Sequence, residues 1–491
     1  MSKTYGVSEG GTKYLKSILV AAFSYETRTK IVRNPPTAVT MLRARKMPPF
    51  FKLTLVVLCA YILWTINHPE PSDALPTRHV RNIGPYGPYG PYGAGMRPMN
   101  GMRVPQQQAQ MQQMMAQAPP AAPLARSSST FTFPTCENGP YKNVAFLKTH
   151  KTGSSTMSNI MLRFADTHNL TVGLPLEGKW ELGGYPAFID KQLIDPQLTQ
   201  YNVLGHHFRF NKGKLDEFMP LDTKYVTIIR SPVDNVESVF GFFQDQMPFE
   251  EWLGDVNTTE RLKTFYADPT KYFKRDTDWY FRSKNHMFFD IGFDVNRADD
   301  EAYVQQAIQQ MDQHFTLILL TDFFDESLIL MKHLLCWDWD DIVYIKFKMR
   351  IEEAKAEVNP ELSKKILDWN HADHQLYDYF NKTFWQRVEA FGVDKMNSEL
   401  EAFRAEQKAA ETECIQAYEP FKKKPWILGA KLRPHPTDKC KHLAWSETVY
   451  GEFLRDKMYK SIPGLTKPTE EQKAASLTLF EQIAGGALRS S

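Results

Sequence analysis

Residues 143–164 read Asn143-Val-Ala-Phe-Leu147-Lys148-Thr149-His-Lys151-Thr152-Gly153-Ser154-Ser155-Thr156-Met157-Ser-Asn-Ile160-Met161-Leu-Arg-Phe164. A short apolar run ends at Leu147, a loop of small, hydroxylated and cationic residues follows, and apolar positions 157, 160, 161 and 164 then recur at helical spacing. Strand, polar loop and helix together point backbone N–H groups and the positive end of a helix dipole at an anion. Lys148 and Lys151 add positive charge, and Thr152, Ser154, Ser155 and Thr156 add hydroxyl donors. An ordinary helix cap needs one hydroxyl, not four with two lysines, so the stretch reads as a phosphate site. It is not the common phosphate loop: the glycine required six residues before the lysine is replaced by Ala145, which disfavours a Walker-type ATPase.

A second run, Tyr225-Val226-Thr227-Ile228-Ile229, is β-branched and almost uninterrupted, as a strand buried on both faces should be. It leads into Arg230-Ser231-Pro232 and then a helical stretch with Ser238 two turns along. Arginine suits phosphate because its planar fork can bond two oxygens at once. Between these elements lies Gly205-His206-His207-Phe208-Arg209-Phe210. Adjacent histidines are often solvated or metal-bound, but no further Cys or His stands at zinc-like spacing nearby. An imidazole can instead take a hydroxyl proton near neutral pH.

Lys151–Thr156 resembles the 5′-phosphosulfate loop of sulfotransferases that use 3′-phosphoadenosine 5′-phosphosulfate (PAPS). Arg230 and Ser238 have the spacing of the element that grips the 3′-phosphate in those enzymes, and His207–Phe210 is similar to a His-x-Arg-Phe element of carbohydrate sulfotransferases. With Asn285–Asp294, Leu317–Trp337 and Leu367–Gly392 added, residues 139–455 resemble the galactose 3-O-sulfotransferases, a family that includes galactosylceramide sulfotransferase. Two residues depart from the pattern: His206 stands where an asparagine is expected, and Gly153 where an alanine is.

The resemblance implies a P-loop-like α/β fold and transfer of a sulfuryl group from PAPS to the 3-hydroxyl of a terminal β-galactose on a glycolipid or glycoprotein glycan. It implies that Lys148, Thr149, Lys151, Thr152, Gly153, Ser154, Ser155, Thr156, Arg230 and Ser238 bind PAPS. It implies that Lys151, His207 and Lys148 carry the catalysis, with His207 the expected base, and that His206 and Arg209 bind the acceptor, Arg209 at the acceptor site or in a positioning role. Which of the two histidines faces the acceptor stays open. No metal is required, and no cluster of Asp, Cys and His in the sequence resembles a metal site. The competing readings are a sulfotransferase for another sugar position, of the uronosyl 2-O type, a non-catalytic lumenal binding protein that keeps the fold, and a nucleotide kinase.

The rest of the 491 residues suits a lumenal membrane enzyme. A net charge of +2 with 24% charged residues argues against a nucleic-acid partner. Residues 50–66 form one apolar run with Arg43, Arg45, Lys46 and Lys52 at its N-terminal side, which predicts a single span with the N-terminus cytosolic. The domain plan is therefore a cytosolic tail (1–49), a signal-anchor (50–66), a low-complexity stem (67–135), a catalytic domain (136–458) and a C-terminal tail (459–491), in a type II single-pass Golgi protein. The stem repeats Gly-Pro-Tyr three times between Gly84 and Gly93, a composition that cannot bury enough apolar surface to fold.

Four cysteines follow the span; Cys414 with Cys440 is the expected pair, and Cys336 is read equally well as a buried thiol. Asn169, Asn257 and Asn381 begin glycosylation sequons. Strand-like runs (143–147, 225–229, 316–320, 342–346) alternate with helical ones (157–168, 233–243, 302–313, 361–370), predicting a parallel sheet with helices on both faces. Oligomeric state is not legible.

Overall fold

The computed structural model describes residues 131–346, 348–422 and 424–490. The expected cytosolic tail, membrane span and nearly all of the stem lie outside the described residues. Among those described, no helix is long and apolar enough to cross a membrane.

The main sheet is built from β1 (Val144–Leu147), β2 (Val172–Pro175), β3 (Ile194–Asp195), β4 (Val203–Leu204), β5 (Lys224–Ile229) and β6 (Leu317–Leu320), in the order β3-β2-β4-β1-β5-β6. Every neighbouring pair is parallel except β2 with β3, so the expected parallel sheet is found with one antiparallel edge strand. β1 is fully buried, as an uninterrupted apolar strand covered on both faces must be. After β1 the chain adds β2 and β4 on one side and later β5 and β6 on the other. Strand order therefore reverses at β1, where open α/β sheets hold their ligands.

Helices pack on both sides of the sheet. Those that shape the site are α1 (Ser154–Thr167), α2 (Pro232–Phe243), α3 (His286–Asp290), α4 (Glu301–His314), α5 (Phe324–Leu335), α6 (Pro360–Trp369), α7 (His371–Phe391) and α8 (Val393–Cys414). The periodic runs at 157–168, 233–243, 302–313 and 361–370 correspond to α1, α2, α4 and α6 to within three residues at each end.

The run at 342–346 does not form a strand. Asp338 and Asp341 make a reciprocal capping box that winds Trp339–Ile342 into a helical turn. The buried guanidinium of Arg163 on α1 then donates to the carbonyls of Asp341 (2.7 Å) and Val343 (2.6 Å). Backbone acceptors that a ladder would need are satisfied by that side chain instead.

A second, antiparallel sheet was not anticipated: β7 (Met349–Arg350), β8 (Ile415–Phe421) and β9 (Lys424–Leu432) pair in the order β7-β9-β8. Two disulfides tie the periphery, Cys414 with Cys440 as expected and Cys136 with Cys336, so Cys336 is not a free thiol. The folded region starts before the expected boundary at 136, because Phe133 packs on Phe391 at 5.2 Å between ring centroids. Two helices close the chain, α9 (Glu447–Ser461) and α10 (Glu470–Ser490). The expected C-terminal tail is thus largely helical, and Phe480 and Ala484 of α10 pack with Leu176 and Leu193.

Candidate functional site

The loop after β1 is locked from within. Thr149 donates its hydroxyl to the carbonyl of Ile228 on β5, Thr152 donates to the carbonyl of Thr149 (3.2 Å), and Ser154 donates to the same carbonyl (2.6 Å). These three side chains are buried, so their hydroxyls serve the loop's shape rather than facing a ligand. Of the four hydroxyls read as donors to an anion, those of Thr152 and Ser154 are thus engaged within the loop itself. Ser155 and Thr156, in the first turn of α1, form no side-chain hydrogen bond among the described residues, and no side chain caps the helix. Lys151 (φ 60°) and Gly153 (φ 74°) are both left-handed, a conformation that costs a lysine energy and recurs at ligand-binding turns.

Lys148 is buried and forms an ion pair with Glu447, the first residue of α9, which lies 299 positions away. Burial lowers the Lys148 pKa and Glu447 opposes that shift. Burial also raises the Glu447 carboxyl, but the charges of Lys148 and Lys348 outweigh it and bring the group down to about 2. Among the described residues, Lys151 has no such partner. Its ammonium sits 3.7 Å from the ring centroid of Phe242 on α2. Burial, then the charges of Lys348, Arg350, Arg230 and Lys424, lower it to about 7. A half-buried cation surrounded by like charge is what an anion would stabilise.

The loop after β4 brings both histidines to the ends of the strands, and they face different ways. His206 is buried, its Nδ1 has no partner among the described residues, and its Nε2 lies 3.9 Å from where a side chain at Gly451 of α9 would begin. Burial lowers its pKa to about 4. His207 is half-buried and its Nδ1 lies 2.8 Å from the carbonyl oxygen of Lys148. A carbonyl can only accept, so Nδ1 carries the proton and the Nε2 lone pair is free.

The ring of His207 stacks on that of His150 (centroids 3.9 Å apart, planes at 12°), and His150 stacks on His286 at 4.7 Å. Sequence reasoning passed over His150, which the structure ties to Asp290 of α3 through its backbone N–H (2.7 Å) and Nδ1 (2.9 Å). Tyr185 also donates to Asp290 (2.8 Å). The α3 backbone is held in turn by Asp373, whose carboxylate accepts the Phe288 N–H at 2.8 Å. Burial and the neighbouring His150 and Lys148 push the His207 pKa well below the ordinary 6.5. His150, His286 and Asp290 present ligand-type atoms within 4.8 Å of one another, which corrects the reading that no such cluster exists. Asp290 already accepts three hydrogen bonds there, two from His150 and one from Tyr185.

Arg209 is turned inward. Its guanidinium lies between Phe188 (4.4 Å) and Phe289 (4.1 Å) and donates to the carbonyl of Phe293 at 3.1 Å. These contacts fit a residue that positions the loop rather than one that touches an acceptor. Arg230 leaves β5 beside the phosphate loop, donating to the carbonyl of Lys151 at 3.3 Å. Ser238 lies half-buried two turns into α2 and forms no side-chain hydrogen bond among the described residues. Lys148, Lys151, His207 and Arg230 therefore converge at the C-terminal ends of β1, β4 and β5. The cation-lined loop and the uncapped helix suit a phosphate-bearing donor, and the free imidazole nitrogen suits proton removal.

Of the sequon asparagines, Asn169 and Asn257 are exposed, whereas Asn381 is buried in α7.

Comparison with known proteins agrees with this arrangement. A family model described as galactose-3-O-sulfotransferase matches residues 103–446. Mouse galactose-3-O-sulfotransferase 2 is 36% identical over 315 residues, covering 62% of this chain and 78% of the relative. Bovine galactosylceramide sulfotransferase is 33% identical over 331 residues, covering 64% and 76% respectively. Mouse galactose-3-O-sulfotransferase 3 is 34% identical over 335 residues, covering 63% and 77%. With the match to the family model spanning well over half its length, the chain belongs to the galactose-3-O-sulfotransferase family and is a sulfotransferase.

Proposed function

We propose that the chain transfers a sulfuryl group from PAPS to the 3-hydroxyl of a terminal β-galactose on a glycolipid or glycoprotein glycan. The observation that carries the reading is the fixed tautomer of His207, whose free Nε2 stands beside a phosphate loop bearing one buried and one half-buried lysine, Lys148 and Lys151. PAPS supplies a sulfuryl group on a good leaving phosphate. His207 takes the proton of the galactose hydroxyl as the new oxygen–sulfur bond forms. Lys151, with Lys148 beside it, offsets the negative charge that builds on the phosphate side as the old bond breaks. Arg230, Ser238, Ser155 and Thr156 hold the nucleotide's phosphates, and His150 with Asp290 holds the His207 ring in place.

The names of the relatives support galactose as the acceptor sugar. A lumenal, Golgi-anchored type II placement belongs to the same proposal. It is supported by two disulfides, which persist in oxidising compartments, and by the apolar run at 50–66. Protease protection of sealed microsomes tests it: a lumenal head stays intact until detergent is added, and digestion without detergent overturns the topology.

The reaction is tested by incubating the purified chain with labelled PAPS and galactosylceramide, lactosylceramide, lactosamine, a core-1 disaccharide and a heparan fragment. Label on O3 of a galactose is expected. Label on the heparan fragment alone would move the chain to a uronosyl substrate, and PAPS binding without label on any acceptor would leave a binding role.

A further inference from the structure

We propose that the small sheet β7-β9-β8, with Lys348 just before β7, supplies a second wall of the donor site, a cationic clamp of Lys348, Arg350 and Lys424 around the phosphates of a bisphosphorylated nucleotide. The inference rests on the PAPS reading above and assigns residues that neither the phosphate loop nor the Arg230 element contains.

The clamp is visible in what surrounds Phe242. Its ring carries two ammoniums, Lys151 at 3.7 Å and Lys424 at 4.1 Å from the centroid, and Lys424 also donates to the Phe242 carbonyl at 3.4 Å. An aromatic face attracts one cation well, but two on the same ring repel each other. Strand register explains how the second cation arrives. Arg350 pairs with Ile427, and the Ile351 N–H donates to the Trp426 carbonyl at 3.0 Å, so Arg350 and Lys424 share one end of the sheet.

Compensating charge is scarce. Among the described residues, Lys151, Arg230, Lys348 and Lys424 form no ion pair with a carboxylate. Arg350 pairs with Glu237 through Nη2, but Glu237 also accepts the Ala356 N–H at 2.8 Å. The other arm of Arg350, Nη1, is buried without a hydrogen-bond partner among the described residues. It lies against Gly241 on α2, where a methyl group would come within 2.3 Å of it. Burial first, and then the same field, brings Lys151 down to about 7. Cations from three separate segments, the β1 loop, the end of β5 and the small sheet, converge with a spare guanidinium donor. A polyanion with more than one phosphate is the ligand class that satisfies them together.

The test is titration of the full-length chain with 3′-phosphoadenosine 5′-phosphate and with 5′-AMP by calorimetry, in low and high salt. Wild type should bind the bisphosphate far more tightly. Lys424→Ala should weaken that binding by about tenfold or more and flatten its salt dependence, with Lys424→Arg recovering most of the loss. The KM for the galactoside should not move. Lys348→Ala, at an exposed position that cannot disturb the core, is the second variant and should weaken the bisphosphate in the same sense. Unchanged affinity and salt dependence in both alanine variants overturns the clamp while leaving the PAPS reading intact. Failure of wild type to bind the bisphosphate overturns both.

Discussion

His207 donates its Nδ1 proton to the backbone carbonyl of Lys148, 2.8 Å away, so the residue proposed as base is held by the loop proposed to bind the donor. One hydrogen bond thereby fixes the tautomer, the ring orientation and the distance between proton acceptor and phosphate site. The stacked His150 ring, anchored on Asp290, keeps the imidazole from rotating away.

The pH dependence follows from the environment of His207. Burial and the nearby His150 and Lys148 disfavour the imidazolium, so the ring is neutral and able to accept a proton well below the ordinary 6.5. At saturating PAPS, the kcat/KM profile for the galactoside should therefore stay flat from neutrality down past pH 6.5 and fall only in more acid solution. A fall centred at or above the ordinary imidazole value would contradict this.

Donor binding should be linked to a proton on Lys151. Its pKa in the free protein is lowered to about 7 by burial and by Lys348, Arg350, Arg230 and Lys424, and a bound polyanion raises it again. Binding at pH 7–8 should take up a proton, and affinity should decline as pH rises above 7. Calorimetry in buffers of different ionisation enthalpy measures the uptake, which Lys151→Arg should abolish.

Glu447 should matter to both stability and activity, although it lies on α9 and far along the chain from the loop. Replacing it with Gln leaves Lys148 buried without a counter-charge, and breaking a buried pair in this way costs on the order of 3–5 kcal/mol. Because the folded Glu447 pKa of about 2 lies below the ordinary 4.5, its contribution is present above pH 4.5 and fades as pH falls towards 2. Urea unfolding at pH 7 and pH 3 should show a wider gap between wild type and Glu447→Gln at the higher pH.

The Cys136–Cys336 bridge joins residues 200 positions apart. In the chain-entropy view a loop of that size is worth about 5 kcal/mol at most, and measured values are typically about 2–4 kcal/mol. Cys136→Ser should lower the unfolding midpoint accordingly while leaving the KM for PAPS unchanged.

Glycan occupancy should follow exposure. Asn169 and Asn257 are accessible and Asn381 is buried in α7, so glycosidase digestion of protein from a secretory host should remove two glycans. Removal of three would place Asn381 outside the packed helix.

Much of this arrangement was legible from local pattern. The apolar run before Lys148 and the helical spacing after it identified β1 and α1, and the β-branched run before Arg230 identified β5. What escaped depended on contacts remote in sequence. Glu447 reaches Lys148 across 299 residues and Asp290 reaches His150 across 140, and neither pairing leaves a periodic trace. Lys424 and Arg350 belong to no motif, and only the register of β7 with β9 sets Lys424 on Phe242 and Arg350 against Gly241. The hydroxyls of Thr152 and Ser154 read as ligand donors because composition does not reveal that the Thr149 carbonyl claims them first. The run at 342–346 looked like a strand because its apolar residues outweighed a capping box just upstream.

The central claim is that His207 removes the acceptor proton next to a donor site built on other groups. Its most direct test is His207→Ala, measured in parallel for affinity towards 3′-phosphoadenosine 5′-phosphate and for sulfation of a β-galactoside. The account predicts nucleotide affinity close to wild type with turnover reduced by about two to four orders of magnitude. Turnover within a few-fold of wild type would contradict it, and the base would have to be sought elsewhere.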